Sequence, residues 1–192
     1  MNLKQDLRVQ KTQEAIRGTF RQMIIEMDFQ NITIKELAER ARINRKTFYF
    51  HFSKLDDLLE ELCNELVEGF LKRVEGYRAL KDRAWYVREF FINQEELGGL
   101  GERIVCAESN RYMLKRMTNE IVSQTWDFPA GSDDLATYRQ NILVSFSHHC
   151  ILGAYRQWIK DDKKIPLEDM IELTITLVSS GTNGFFALCR ND

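Results

Sequence analysis

Proline is almost absent from this chain: Pro129 and Pro166 are its only two. A residue that lacks a backbone N–H and clashes with the preceding helical turn has to be kept out of helix interiors. The stretches between these breakers are rich in Leu, Ile, Glu, Lys, Arg, Gln and Met, which favour helix over strand. The sequence therefore predicts an all-α fold. With 192 residues, 44% of them apolar and 29% charged, the chain has enough apolar side chains to close a core and is expected to be globular.

No apolar run approaches the roughly 20 residues that a membrane span requires, and Met1 to Arg8 is polar where a signal peptide is apolar. The expectation is a cytoplasmic protein. Cys63, Cys106, Cys150 and Cys189 are far apart, without a CxxC pair, so they predict reduced, mostly buried thiols instead of a zinc site or a disulfide framework.

Helical periodicity organises the N-terminal part. Ile16, Phe20, Met23, Ile24 and Met27 fall on one stripe of a first helix, with Arg8, Lys11, Arg17 and Arg21 on the rest of its surface. After Asp28-Phe29-Gln30-Asn31 the pattern restarts at Thr33, which has Glu36 three residues on, the spacing of a capping box. Ile34, Leu37, Ala38 and Ala41 give this second, short helix its buried face. Asn44 is a good N-cap for a third, in which Phe48 and Phe52, at i and i+4, turn inward. Arg45, Lys46, Thr47, Tyr49, Phe50 and His51 are left facing outward. Two short helices joined by a tight turn, the second basic and aromatic outside, spell a helix-turn-helix.

Ser53 is expected to cap a fourth helix bearing Leu55, Leu58, Leu59, Leu62 and Leu66, with Lys54 at its start. Phe70 to Phe91 is aromatic-rich, Gly98, Gly99 and Gly101 read as a loop, Glu102 to Trp126 as one amphipathic stretch, and 127–132 as the clearest loop. Two strongly apolar helices end the sequence, one from about Asp133 to Lys160 and one opening at Pro166, a residue suited to the first helical position. The last has more apolar surface than a small monomer needs. Met170, Thr174, Leu177, Gly181 and Phe185 are expected to form a homodimer interface, Gly181 permitting close helix contact.

Charge divides along the same line. Residues 1–54 hold 11 Lys and Arg against 6 Asp and Glu, and the remainder 16 against 23. A basic head on an acidic body suits a head that meets phosphates. The expected domains are 1–53, a three-helix helix-turn-helix head, and 54–192, a helical bundle for ligand binding and dimerisation through its last two helices.

At Ile32-Thr33-Ile34-Lys35-Glu36-Leu37-Ala38-Glu39-Arg40-Ala41, and again from Ile43 through the aromatic TFYFHF of residues 47–52 to the SKLDDLL of residues 53–59, the sequence resembles the TetR family of bacterial regulators. The resemblance covers residues from about 10 to 62. It implies a homodimer that binds a palindromic double-stranded DNA operator with the third helix in the major groove, and a small molecule in the C-terminal domain that changes the spacing of the two heads. Residue by residue, it puts Thr33, Asn44, Arg45, Lys46, Thr47, Tyr49 and His51 at or near DNA-contacting positions and Lys54 on a phosphate. Lys46 stands where many relatives have a small residue, and Phe50 where many are polar, so no relative's operator can be borrowed. Arg45 and Lys46 suit either guanine edges or phosphates.

Trp85, Tyr86, Phe90, Tyr112, Met113 and Met117 are candidates to line an effector cavity, although an aromatic and Met stripe also serves as plain core. His148 and His149 are candidate polar contacts there. Adjacent helical residues point about 100° apart, so this pair is poorly placed to share a metal. No GxSxG, phosphate loop or HExxH spacing is present, so neither an enzyme nor a cofactor is expected. The implied function is a ligand-responsive repressor, with an activator or co-regulator whose C-terminal domain binds a protein as the alternative.

Overall fold

The computed structural model describes residues 3–76, 82–125 and 134–189; the loop expected at 127–132, and Trp126, lie outside them. Among the described residues every regular element is helical: α1 (Leu3–Glu26), α2 (Ile34–Arg40), α3 (Arg45–His51), α4 (Leu55–Arg73), α5 (Arg83–Leu97), α6 (Gly99–Cys106), α7 (Arg111–Thr125), α8 (Asp134–Lys160) and α9 (Leu167–Cys189), with single 3-10 turns at Phe29–Asn31 and Glu108–Asn110. None of these helices is long and apolar enough to cross a membrane.

The short helices of the head begin where side chains satisfy the orphan amides of a first turn. Thr33 Oγ1 accepts from Glu36 N at 3.2 Å, and Asn44 Oδ1 accepts from Thr47 N at 2.7 Å. The start of α4 is different from the expectation. Ser53 does not cap it; Asp57 Oδ2 reaches back and accepts from the amides of Ser53 at 2.9 Å and Lys54 at 3.1 Å. The acceptor therefore comes from inside the helix, where a carboxylate also suits the positive end of its dipole.

The glycine cluster does not form an extended loop. Only Gly98 interrupts, with φ 56° and ψ −133°, a conformation open to glycine alone, and Gly99 and Gly101 already belong to α6. Gly101 is needed for packing: a Cβ there would lie 2.7 Å from the Gln94 carbonyl oxygen of α5. The stretch from Glu102 is likewise two helices, α6 and α7, separated by the 3-10 turn. Pro166 precedes the first helical residue of α9, and its carbonyl accepts from Met170 N at 3.0 Å.

Two apolar cores meet along α4. The first joins Ile16, Phe20, Met23 and Ile24 of α1 to Leu37, Phe48 and Phe52, then to Leu58, Leu62 and Leu66 of α4, and continues into Leu100 and Ile104 of α6 and Met113 of α7. The second begins at Phe70 of α4 and takes in Tyr86, Val87, Phe90 and Phe91 of α5, Ile151, Tyr155 and Trp158 of α8, and Met170, Ile171 and Val178 of α9. At its centre Phe91, Tyr155 and Trp158 hold ring centroids 5.7–6.0 Å apart, separations at which tilted and edge-on rings attract. The turn between α8 and α9 is tied down by Lys163, whose Nζ meets Glu95 and Glu102 at 2.8 Å, and by Trp158 Nε1, which donates to Ile165 O at 2.7 Å.

Candidate nucleic-acid interface and helix-lined cavity

Packing divides the residues of α3 by face. Phe48 and Phe52 are buried, their ring centroids 5.8 Å apart, while Tyr49 is 57% and Phe50 78% exposed. Asn44, Arg45, Lys46, Thr33 and Lys54 are exposed, and Thr47 and His51 are half-buried. Asn44 Oδ1 is engaged by its helix, since it also accepts from the Thr47 hydroxyl at 3.0 Å. Its amide NH2 remains as the donor.

The basic side chains of the head fall into two sets. Arg17 pairs with Glu61 at 2.8 Å and Arg21 with Glu65, both on α4, and Arg40 is held between Glu26 and Glu36. The first two pairs cancel charge where α1 meets α4, and the third cancels it between α1 and α2. Arg8, Lys11, Lys35, Arg42, Arg45, Lys46 and Lys54 are exposed and have no acidic partner among the described residues. Arg8 and Lys11 of α1 share a groove with Ala41 and Ile43 of the turn between α2 and α3, which carries them next to the start of α3. Arg8, Lys11 and Arg42 were not among the DNA-contact candidates named from the sequence. Their signal lies in which cations acquire a carboxylate partner, and that is settled across helices.

Arg42 has a second distinction, a left-handed backbone with φ 55°. It follows α2 in a turn where Arg42 N donates to Glu39 O at 3.2 Å and Ile43 N to Ala38 O at 2.9 Å. That is the pattern in which glycine is the usual occupant.

In the body, a cavity lies among α4, α5, α6, α7 and α8. Leu66, Phe70, Phe90, Leu97, Ile104, Val105, Leu114, Met117, Ile121, Ile151 and Leu152 give it an apolar wall, and Tyr86, Asn93, Gln94, Thr118 and His148 supply polar atoms. Its free volume of about 50 Å³ is room for a few waters, so anything drug-sized has to displace side chains. Burial pushes the His148 pKa down to about 4, helped by the charge of neighbouring His149, so its ring is neutral at pH 7.

Of the effector candidates, Tyr86, Phe90, Met117 and His148 come together on this wall. The other four do not. Tyr112 is 75% exposed, Trp85 is exposed on α5, Met113 is buried in the core shared with the head, and His149 faces out with Nδ1 2.7 Å from Ser145 O. Asn93, Gln94 and Thr118 were missed by sequence, although Asn93 and Gln94 are amides directly after an apolar run, a pattern that marks a polar spot on a buried face. No group of three or more His, Cys, Asp or Glu able to hold a metal occurs among the described residues.

The expected dimer residues also separate. Met170 and Thr174 are buried inside the chain, the Thr174 hydroxyl donating to Met170 O at 2.8 Å, and so take no part in its surface. Leu177 is 50% exposed, and Gly181 lies on the surface against Phe146 of α8. The Phe185 side chain lies outside the described residues. Leu173 on α9 and Tyr138, Ile142 and Phe146 on α8 are further exposed apolar residues.

Residues 19–62 match the model for bacterial regulatory proteins of the tetR family. Among curated proteins, the uncharacterized HTH-type transcriptional regulator YxbF of Bacillus subtilis is 32% identical over 68 residues, 33% of this chain and 18% of that protein. An uncharacterized HTH-type transcriptional regulator of Haemophilus influenzae is 37% identical over 57 residues, 29% of this chain and 28% of its own length. The chain thus spans only a minor part of either curated relative. Solved structures share the fold over nearly the whole chain. A TetR transcriptional regulator from Streptococcus agalactiae has a TM-score of 0.69 at 21% identity, covering 92% of this chain and 98% of that one. NalD of Pseudomonas aeruginosa, the secondary repressor of the MexAB-OprM multidrug efflux pump, has a TM-score of 0.63 at 19% identity, covering 90% and 95%. The match on residues 19–62 falls on the helix-turn-helix, so the chain carries a head similar to that of the tetR family of bacterial regulatory proteins, within a helical fold shared with solved regulators.

Proposed function

We propose that this chain is a homodimeric transcriptional repressor that binds a palindromic operator through α3 and releases it when a small molecule enters the helix-lined cavity. The observation that carries this reading is the partition of charge in the head: cations where α1 meets α4 and α2 are neutralised, and those around α3 are left open. An open cluster of Arg and Lys on a convex helical surface attracts the phosphate backbone, and the exposed N-terminal part of α3 is what a major groove admits. On this reading Lys54, with Arg8, Lys11 and Arg42, holds phosphates. Arg45 and Lys46 reach base edges or phosphates, Tyr49, Thr33, Thr47 and His51 add hydrogen bonds, and Asn44 uses its free amide. The repressor sense follows NalD, a repressor of the same fold.

Release by an effector fits the shared core. Ile104 and Val105 line the cavity from α6, and the same helix carries Arg103, which is bonded to Asp28 at the foot of α1. A ligand that enlarges the cavity pushes on a helix fastened to the head. In a dimer, that displacement alters the separation of the two α3 helices, and half-site spacing is a strict geometric requirement.

Binding-site selection from random duplexes, followed by affinity measurements at several salt concentrations, tests the proposal. Lys54→Ala is expected to weaken binding to all sequences alike and to flatten the salt slope by about one unit per head. Arg45→Ala or Lys46→Ala is expected to lose about 1–3 kcal/mol on the selected duplex if the side chain reads a guanine. A selection that enriches no sequence, or variants that all bind as the parent does, would reject the interface.

A further inference from the structure

We infer that the cavity receives an uncharged, largely apolar molecule carrying hydrogen-bonding groups, and that it discriminates against carboxylates, phosphates and ammonium ions of the same shape. This ligand class rests on the effector reading above and adds the chemistry that reading leaves open.

Among the described residues that line the cavity there is no Asp, Glu, Lys or Arg. Several of the charged residues that neighbour its wall in sequence are held in ion pairs with partners outside the lining. Glu89 and Glu96, on either side of Phe90, Asn93 and Gln94, take Arg73; Glu95 takes Lys163. Arg103, next to Ile104, takes Asp28, and Arg116, next to Met117, takes Glu60. Helical geometry accounts for this sorting, because consecutive residues point about 100° apart and each ion pair lies on a flank of its helix. Arg83 lies on the far side of Tyr86 and His148, in the adjoining pocket, so an ion entering the cavity itself would give up its water and meet no opposite charge among the described lining residues, a cost that hydrogen bonds from neutral groups repay only in part.

What the cavity does offer is neutral and of both senses. Asn93 and Gln94 each bring a carbonyl and an NH2 to the wall, Thr118 a hydroxyl, and His148 an uncharged ring. Burial keeps that ring uncharged at neutral pH, so it is no ready counter-ion for an acid. Met117 and the leucines at the wall are the flexible side chains that can yield volume to a larger occupant.

Three rigid probes of one shape separate the possibilities: 2-naphthylmethanol, 2-naphthoate and 2-naphthylmethylammonium, titrated calorimetrically into the full-length chain near neutral pH. The alcohol is expected to bind, and each ion to bind about ten-fold or more weakly. An ion that binds as well as the alcohol overturns the ligand class and leaves the effector reading standing. Binding of none of the three overturns both. Location is tested by Asn93→Asp, which preserves shape and adds a negative charge, and independently by Thr118→Asp on α7. In at least one of these variants, shown by circular dichroism to be as helical as the parent, the ammonium is expected to gain about ten-fold relative to the alcohol. An unchanged order in both folded variants would mean that the naphthyl ligand sits elsewhere, and would overturn the assignment.

Discussion

Asp28 and Ser109 lie 81 residues apart in sequence, and the Ser109 hydroxyl donates to Asp28 Oδ1 across 2.7 Å. The same oxygen accepts from the guanidinium of Arg103. Three residues thus fasten the end of α1 to α6 and to the 3-10 turn that follows it. Because the Asp28 and Arg103 side chains are 43% and 31% exposed, the ion pair is partly screened and the link is modest in energy. Asp28→Ala is expected to lower stability by about 1–2 kcal/mol. A double-mutant cycle with Ser109→Ala, followed by urea denaturation, is expected to return a coupling of about 0.5–1 kcal/mol. Strictly additive losses would mean that the two side chains do not communicate.

His148 gives the body a pH dependence. Its pKa in the fold is about 4, below the ordinary 6.5, chiefly because burial disfavours the charged ring. Between these values the unfolded chain binds a proton that the folded chain refuses, so stability rises with pH through this window and is lost as pH falls from about 6.5 toward 4. The contribution is about 1–3 kcal/mol at the acid end. His148→Gln is expected to flatten the dependence between pH 6.5 and 5, where few carboxylates titrate. Parent and variant unfolding curves of equal slope in that interval would contradict it.

Arg42 breaks a local rule. The left-handed position closing α2 strains any residue with a Cβ by about 1 kcal/mol, and glycine occupies it freely. Strain kept at a surface position points to a use for the side chain, and the open charge cluster supplies one. Arg42→Gly is expected to leave thermal stability unchanged or to raise it by about 0.5–1 kcal/mol. Operator affinity is expected to drop at the same time, with a salt slope reduced by about one unit per head. Stability and affinity that fall together would assign Arg42 a structural role only.

The head was legible in sequence because its determinants are short-range. Thr33 with Glu36, Asn44 with Thr47, and Phe48 with Phe52 each lie three or four residues apart, and such spacings fix caps and faces without knowledge of the rest of the fold. Legibility ended where the partner is distant. Met113 reads equally as cavity lining or core, and Leu100 and Ile104 from α6 with Phe20 from α1 and Leu62 from α4 decide for core. Periodicity says of α9 that both Thr174 and Leu177 lie on an apolar helix. It does not say that the first is buried within the chain while the second is left outside. At the start of α4, Ser53 and Asp57 both offer a local acceptor, spacing alone does not choose between them, and Asp57 makes the cap.

That distinction on α9 decides how the dimer is best tested. Leu173 and Leu177, 45% and 50% exposed, stand one turn apart, and Tyr138, Ile142 and Phe146 form a comparable row on α8 at 63%, 65% and 44%. Two apolar rows on neighbouring helices suit a self-complementary interface. A substitution at Gly181 tests it poorly: a Cβ there would come within 2.6 Å of the Phe146 ring of the same chain, so packing within the subunit would change as well. Leu177→Glu leaves the inner face of α9 intact and puts an unpaired charge where the partner is expected, a loss of about 3 kcal/mol or roughly two decades in the dimer dissociation constant. Sedimentation velocity is expected to show Leu177→Glu as monomer at concentrations where the parent is dimeric. Leu7→Glu, an equally exposed leucine on α1 at 54%, is expected to stay dimeric. A dimer unaffected by Leu177→Glu would move the interface away from α8 and α9.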